Sequence, residues 1–374
     1  MQLSFLRPIC ASPGPWTSVY LDASRDTHDA HPALDLRWRA LQERLAEQRA
    51  DPRTVAALDD VVRGHEPMPG DYGLAAFAAD GEVVLTEYLS APPLKDIAAH
   101  GPLAHTMPLV AQRGEQVPWV RVLASRTGAD VDAVSAGGVP RHAHVKGGNQ
   151  FPLRRVQQGG WNQSHFQRNA LTSWRRNAGD AASATAALAE RVGAEVIVVA
   201  GETRARQLLA AQLPEFWQDR VVQTDAGFPA DGAKQFKFDD VTVQAIAEVA
   251  AAHTDVALDK FGMQRDVGKG MDAVVAALQR RQVDTMLIVD DPSSTEELWI
   301  GPEPTDIATG RDELVAMSVA QPQRVRADAA LVRALVGTDA GVTVLDPDQA
   351  PDLADGVGAV LRYVDASTPA GGDG

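Results

Sequence analysis

One short stretch of the chain, "VIVVA" at 196–200, is apolar without interruption and is bounded by a glycine. A run of this length and composition is typical of a strand that is covered on both faces, as in a mostly parallel sheet between helices. The stretch "VDTMLIVDD" at 283–291 predicts a second buried strand. Helical patterns adjoin both, since "ETRARQLLAAQLP" follows the first and "KGMDAVVAALQRRQ" precedes the second. The sequence therefore predicts an α/β fold.

The first part of the chain mixes strands and helices in a different order and predicts an α+β unit. "WTSVYLDAS" is typical of a strand, and a hairpin is expected with its turn at Asp80-Gly81. Asp51 and Pro52 predict the N-cap and first residue of a helix. An amphipathic helix before it is indicated by four apolar residues at helical spacing, which are Leu34, Trp38, Leu41 and Leu45.

The length of 374 residues suggests two or three domains, and the order of patterns predicts three in succession. We expect an N-terminal α+β domain at 1–117, a central α/β domain at 118–237 and a C-terminal α/β/α domain at 238–365. The central domain opens with two strands around the turn "RTGAD". Its predicted inward residues are Val120, Val122, Val131 and Val134. The tail at 366–374 has too little apolar content to pack, so we expect it to be disordered.

Charge is distributed unevenly along the chain. The formal net charge is −15, yet residues 133–179 contain seven lysines and arginines and no aspartate or glutamate, where an even spread would place about six acids. We call residues 133–179 the acid-free segment. The rest of the chain carries −22. Such a layout directs one face of the molecule toward polyanions and repels them elsewhere.

The chemistry of the acid-free segment suits RNA. A Gly-rich basic loop is expected at 141–168, where two Gly-Gly pairs permit close approach to another surface. Trp161 would stack on an unpaired base, Gln163 offers an amide donor and acceptor, and the arginines would hold phosphates. The alternative is that Trp161 folds back onto the domain and the arginines are solvated. The candidate RNA-binding residues are Lys146, Arg154, Arg155, Gly159, Gly160, Trp161, Asn162, Gln163, His165, Arg168, Arg175 and Arg176.

Sequence patterns of common enzyme and metal sites are missing. The chain has no GxGxxG, GxxxxGK[ST] or GxSxG pattern and no HExxH. Gly201 could begin an anion site at a helix N-terminus, but a plain strand-to-helix turn explains it better. Cys10 is the only cysteine, which excludes an internal disulfide and favours an incidental thiol. We expect two histidines of "RHAH" at 141–144 in the Gly-rich loop, Asp290 and Asp291 in a solvated turn, and no metal or cofactor.

The N-terminus lacks the charged and apolar regions of a signal peptide, and no apolar run approaches the roughly 20 residues of a membrane span. We therefore expect a cytoplasmic protein without a membrane partner.

The order of these features resembles a known family. "RTGADVDAV", the basic loop and the following long helix are similar to the central domain of archaeal and eukaryotic class I release factors. "GMDAVVAALQRRQVDTMLIVDD" with "GVGAVLRY" resembles their C-terminal domain of the L7Ae-like type. With "WTSVYLDASRDTHDA" and "GGWNQSHFQRNA" included, residues 1–365 resemble actinobacterial members of the bacterial release-factor-like family, which contains the Balon-type ribosome hibernation factors.

The resemblance implies a protein that occupies the A site of the 70S ribosome, as a tRNA mimic would. Its central loop would reach the rRNA of the peptidyl transferase centre and its N-terminal domain the decoding centre. Elongation factor Tu and a P-site tRNA are the further partners that the resemblance suggests.

Two departures from the release-factor pattern bear on activity. Release factors carry a Gly-Gly-Gln motif, whereas Gly160 and Gln163 are separated here by Trp161 and Asn162. Since such chemistry depends on placement to about 1 Å, the insertion argues against ester hydrolysis. No Asn-Ile-Lys-Ser motif for stop codons occurs in residues 1–118. We expect a hibernation or stress factor. The alternatives are a peptidyl-tRNA hydrolase with Gln163 as its catalytic residue, and an RNA-binding protein unrelated to ribosomes.

Overall fold

A computed structural model describes most of the chain. It describes residues 1–12, 14–24, 30–66, 71–114, 116–136, 140–146, 160–225, 232–264, 268–349 and 353–365, without the side chains of 30, 31, 140, 160–173 and 232–237. The chain forms two compact units. One unit combines Met1–Glu115 with His253–Gly374, and the other is Gln116–Ala252.

The N-terminal part of the first unit forms a four-stranded antiparallel sheet in the order β3-β2-β1-β4. Helices α2 and α3 pack on one face, where Trp38, Leu41, Leu45 and Leu58 are buried. Its elements are α1 (Arg7–Ala11), β1 (Trp16–Asp22), α2 (Ala30–Glu47), α3 (Pro52–Gly64), β2 (Gly73–Ala79), β3 (Glu82–Leu89), β4 (Ile97–Gly101) and α4 (Met107–Gly114). Asp51 caps α3 by accepting a hydrogen bond from the Arg53 amide, as predicted.

The second unit is built on a five-stranded mixed sheet in the order β7-β6-β5-β8-β9. The two pairs β5–β8 and β8–β9 are parallel, while β6 is antiparallel to both of its neighbours. Its elements are β5 (Trp119–Ser125), β6 (Gly128–Val134), β7 (Pro140–Lys146), α5 (Gly160–Val192), β8 (Val196–Gly201), α6 (Thr203–Ala210), α7 (Glu215–Gln218), β9 (Val221–Gln223) and α8 (Gly232–Met263), whose last residues belong to the first unit.

Strand β8 is buried along its whole length because both faces of this sheet are covered. Ile197 and Val199 face a core that includes α5 and α6. Val196 and Val198 face a second core that includes Phe238 and Ala245 of α8. The uninterrupted apolar run at 196–200 is explained by this two-sided burial.

The C-terminal part of the first unit contains two small sheets, ordered β14-β10-β15 and β12-β11-β13. Its elements are α9 (Gly270–Gln279), β10 (Val283–Val289), β11 (Glu297–Ile300), β12 (Ile307–Ala308), α10 (Arg311–Ala316), β13 (Gln323–Arg326), α11 (Ala327–Gly337), β14 (Gly341–Leu345) and β15 (Val357–Leu361). One hydrophobic core contains residues of this part and of the N-terminal part, for example Leu6, Tyr20, Phe77, Met286 and Leu335.

The mixed α/β class predicted from the sequence is confirmed. The three domain boundaries stay predictions, and the tail at 366–374 lies outside the described residues. Val134 was wrongly predicted to face the core, because alternate residues of a strand point to opposite faces and Ala133 takes the inward position. The histidines of "RHAH" lie in strand β7 and not in a loop, because β7 pairs along its length with β6.

Candidate nucleic-acid interface

The structure changes the outline of the predicted basic loop. Residues 141–146 belong to β7, with the Lys146 side chain exposed at its end, and α5 begins at Gly160. The backbone of Trp161, Asn162, Gln163, His165 and Arg168 is therefore helical. Their side chains lie outside the described residues, as do all atoms of Arg154, Arg155 and Gly159. The stacking role of Trp161 and the phosphate contacts of these arginines stay predictions.

Helix α5 is 33 residues long, which corresponds to about 50 Å. Its described buried residues begin at Asn177 and continue through Ala181, Ala182 and Thr185. Arg175 and Arg176, which directly precede that region, are exposed. Among the described residues, neither has a carboxylate within ion-pair distance. These two predicted phosphate ligands are thus free to meet a polyanion.

Next to these arginines, Trp174 is half-buried between two basic side chains from other elements. Arg126, in the β5–β6 turn, has its guanidinium carbon 5.6 Å from the centre of the Trp174 ring. Arg204, in the first turn of α6, is also 5.6 Å from that centre. Both distances are within the range of a cation–π interaction. We call Arg126, Trp174 and Arg204 the Trp174 cluster.

Backbone contacts hold the two turns of the Trp174 cluster together. The Glu202 amide donates to the Ala124 carbonyl oxygen at 3.1 Å, which joins the end of β8 to the end of β5. The Glu202 carboxylate then lies 2.5 Å from Arg126 Nε. The Asn177 side-chain amide donates to the Arg126 carbonyl oxygen at 3.0 Å. The position of Arg126 is therefore set by both α5 and the β8–α6 turn.

Asn177 leaves one buried acceptor without a described partner. The residue is 4% exposed, and its Oδ1 atom receives no hydrogen bond. A small cavity of about 10 Å³ adjoins it, with Arg126 and Trp174 also in its lining. Since a cavity of this size holds about one water molecule, a base would not fit there. Polar contacts of Asn177 with a ligand would therefore pass through a water.

Histidines of β7 are paired with the aspartates of β6 that immediately precede the acid-free segment. His142 Nδ1 is 2.6 Å from Asp132, and His144 Nδ1 is 2.5 Å from Asp130. Burial acts to raise the pKa of Asp132, but hydrogen bonds from His142 and Arg121 and the Arg121 charge together lower it. Arg121 also contacts Asp239 at 2.6 Å. These acids are occupied by their own partners on the sheet.

Other candidate sites from the sequence have structural explanations. At Gly201, φ is +110°, and the residue forms the strand-to-helix turn before α6. Asp291 accepts hydrogen bonds from the Ser293 amide and hydroxyl, so it stabilises a turn. Within the described ranges, no group of three or more His, Cys, Asp or Glu side chains is arranged to hold a metal ion. No helix in those ranges is both long and apolar enough to cross a membrane.

Sequence reasoning did not identify Arg126, Arg204 or Trp174 as candidate site residues. The adjoining "WRR" at 174–176 was a signal, since it places an aromatic residue beside two cations. The partners Arg126 and Arg204 come from elements that meet α5 only in the folded unit. Their contribution could not be obtained from spacing along the chain.

One family model matches part of this chain. Residues 118–266 match the model of bacterial archaeo-eukaryotic release factor family 2. This match contains all but the first two residues of the second unit, and with them the Trp174 cluster and the acid-free segment. The release-factor-like character predicted for the central part is thereby supported, while the narrower Balon-type assignment stays a prediction.

Individual relatives extend the similarity along the chain. The uncharacterized protein Rv2629 of Mycobacterium tuberculosis (strain ATCC 25618 / H37Rv) is 28% identical over 369 residues, which is 97% of each chain. The crystal structure of the archaeal translation termination factor aRF1 aligns over 94% of this chain and 93% of its own, at 15% identity and a TM-score of 0.24. A model of ribosome-bound archaeal Pelota and ABCE1 aligns over 97% and 95%, at 14% identity and a TM-score of 0.40.

Proposed function

We propose that this protein is a ribosome-binding factor of the cytoplasm that occupies the A site in a hibernation or stress role. The observation that carries the proposal is the acid-free segment within a region that matches a release-factor family. Ribosomal RNA is a polyanion, so a basic segment on an acidic molecule directs one face toward it. Exposed Lys146, Arg175 and Arg176 are consistent with such a face.

The proposal includes an orientation. The segment between β7 and α5 would reach the peptidyl transferase centre, and the N-terminal part would approach the decoding centre without reading a codon. Elongation factor Tu and a P-site tRNA are proposed as further contacts on the basis of the resemblance alone. A protein bound in this way would keep the ribosome intact and idle.

Co-sedimentation with 70S ribosomes tests the proposal. We expect the wild-type chain to pellet with ribosomes at low salt, and a variant with Arg154, Arg155, Arg168, Arg175 and Arg176 changed to Glu to remain in the supernatant. A matched control changes five exposed arginines of the first unit to Glu, which are Arg39, Arg49, Arg280, Arg311 and Arg324. The control has the same net charge. Equal pelleting of both variants would overturn the assignment of the acid-free segment.

Ester hydrolysis is tested separately with ribosomes that carry a labelled peptidyl-tRNA. We expect no release of peptide, because two residues separate Gly160 from Gln163. Release by the wild-type chain that is lost in Gln163→Ala would replace the idle-ribosome proposal with a peptidyl-tRNA hydrolase. Binding to RNA without any preference for ribosomes would instead favour a general RNA-binding protein.

A further inference from the structure

We propose that Arg126 and Arg204 of the Trp174 cluster bind a phosphate of a single-stranded RNA segment, with Trp174 as the residue that positions both arginines. The inference deepens the proposed function and rests on it, since it names a second RNA contact of the same unit outside the predicted loop.

The first argument is preorganisation. Arginine side chains lose considerable rotamer freedom when they bind, and a ligand must offset that cost. Arg126 and Arg204 are each 5.6 Å from the Trp174 ring centre, so cation–π attraction restricts both before a ligand arrives. Two restricted guanidinium groups near one ring present several N–H donors, and guanidinium geometry matches phosphate oxygens.

The second argument comes from the start of α6. Arg204 lies in the first turn of this eight-residue helix, whose first amide groups donate no hydrogen bond to a capping side chain. Uncapped amides and the helix dipole favour an anion at that end. Glu202 occupies the N-cap position, but its carboxylate contacts Arg126 instead of the helix amides. A phosphate at this place would therefore meet both the arginines and the helix N-terminus.

The third argument is the buried acceptor at Asn177. Its Oδ1 atom has no described partner and borders a cavity with room for about one water. A water held there would donate one hydrogen bond to Asn177 and keep a second for an acceptor at the surface beside Arg126. Phosphodiester oxygens are acceptors of this kind. The cavity is too small for a base or a phosphate, so a phosphodiester beside Arg126 would reach Asn177 only through that water.

The charges at the Trp174 cluster predict the direction in which one substitution changes RNA affinity. Arg126, Arg175, Arg176 and Arg204 contribute four positive charges around Trp174, and Glu202 contributes one negative charge. Glu202 repels a phosphate, so Glu202→Gln should strengthen RNA binding about three-fold or more at low salt. If the cluster served only to stabilise the fold, loss of the Arg126–Glu202 contact would give no increase in RNA affinity.

The experiment measures binding of the full chain to a fluorescent 12-nucleotide oligouridylate by anisotropy, as a function of salt. Arg204→Glu should weaken binding at least ten-fold, and each lost phosphate contact should reduce the slope of log affinity against log salt by about 0.7. Trp174→Leu should also weaken binding, and Trp174→Phe should restore most of it because a ring is kept. Arg324→Glu, an exposed change in the first unit, should behave as the wild type apart from a small general charge effect.

Two controls identify the ligand and separate this inference from the proposed function. Inorganic phosphate at millimolar concentration should compete weakly with the oligonucleotide. An acidic peptide that displaced the oligonucleotide and bound more tightly would identify a protein partner and overturn the inference.

The variants separate the inference from the proposed function. Unchanged RNA binding in Arg204→Glu and Trp174→Leu, with 70S pelleting intact, would refute only the RNA contact at the Trp174 cluster. Loss of 70S pelleting in the five-arginine variant, together with weakened oligonucleotide binding in Arg204→Glu of the otherwise wild-type chain, would support both proposals. If the wild-type chain does not pellet with 70S ribosomes, the proposed function fails whatever the oligonucleotide shows.

Discussion

Gly201 is in direct contact with Ala124: a Cβ atom at Gly201 would lie 2.0 Å from the Ala124 carbonyl oxygen. The backbone at Gly201 has a φ angle of +110°, which residues other than glycine rarely adopt. We therefore expect Gly201→Ala to destabilise the second unit by about 3 kcal/mol or more. Unfolding in urea measures the change. Gly64→Ala is the matched control, because no atom of the described residues lies within 4 Å of its Cβ position, and it should alter stability by less than about 1 kcal/mol. Similar midpoints for the two variants would contradict this account of Gly201.

Asp59 connects two helices of the first unit by accepting a hydrogen bond from the buried Trp38 indole at 2.6 Å. Burial acts to raise the pKa of Asp59, but hydrogen bonds from Arg63, Trp38 and Gln42 and the Arg63 charge hold it below its ordinary value of 3.8. A depressed pKa means that the ionised form stabilises the fold above pH 3.8 and that this stability is lost as pH falls through the lower folded-state value.

We therefore expect Asp59→Asn to lower the free energy of unfolding by about 1 to 2 kcal/mol at pH 7. The difference from the wild type should shrink as the pH falls below 3.8 and then through the lower folded-state pKa, where Asp59 becomes protonated and neutral. Urea titrations at pH 7, 5 and 3 give the comparison. Asp60→Asn, an exposed change in the same helix, serves as the control and should have little effect at any of these pH values. A difference that stays constant with pH would show that ionisation of Asp59 does not stabilise the fold.

Cys10 should be a poor nucleophile in the folded protein. Burial raises the pKa of its thiol from 9.0 to about 11, even though the Arg333 charge acts in the opposite direction. At pH 8 this lowers the thiolate fraction roughly 100-fold, and the thiolate is the reactive form. Alkylation by iodoacetamide should therefore be slow in buffer and fast in urea, with one label per chain because Cys10 is the only cysteine. Equal rates in the two conditions would mean that Cys10 is accessible and ionises normally.

The elements that the sequence predicted well are those whose pattern is set by burial alone. The apolar residues of α2 and the uninterrupted run of β8 face cores that cover them, so their periodicity is visible without any partner. Strand β4 was missed because it is short and only partly buried, and strand β7 was missed because most of its residues are polar or charged and exposed. Each forms because an adjacent strand, β1 or β6, offers a complete row of hydrogen-bonding groups.

The candidate interface was likewise predicted only in part from the sequence. Segregation of charge is a property of the sequence, so the acid-free segment was found without a structure. The Trp174 cluster depends on Arg126 and Arg204, which lie 48 residues before and 30 residues after the α5 tryptophan. The pairing of β5 with β8 and the contacts of Glu202 with Ala124 and Arg126 bring their two turns together. A pattern along the chain carries no information on those contacts.

Salt dependence is the most direct consequence of the proposed ribosome contact. The seven cations of the acid-free segment would displace up to seven condensed counterions from rRNA, which gives a slope of about −5 for log affinity against log salt. Between 50 and 200 mM salt the affinity for 70S ribosomes should then fall about 1,000-fold. Co-sedimentation across this range measures the slope. Changing Arg175 and Arg176 together to Gln should reduce it by about 1.4, while the same change at Arg280 and Arg311 of the first unit should leave it unaltered. A slope near zero for the wild-type chain would mean that another kind of contact holds the protein on the ribosome, and the acid-free segment would lose its assigned role.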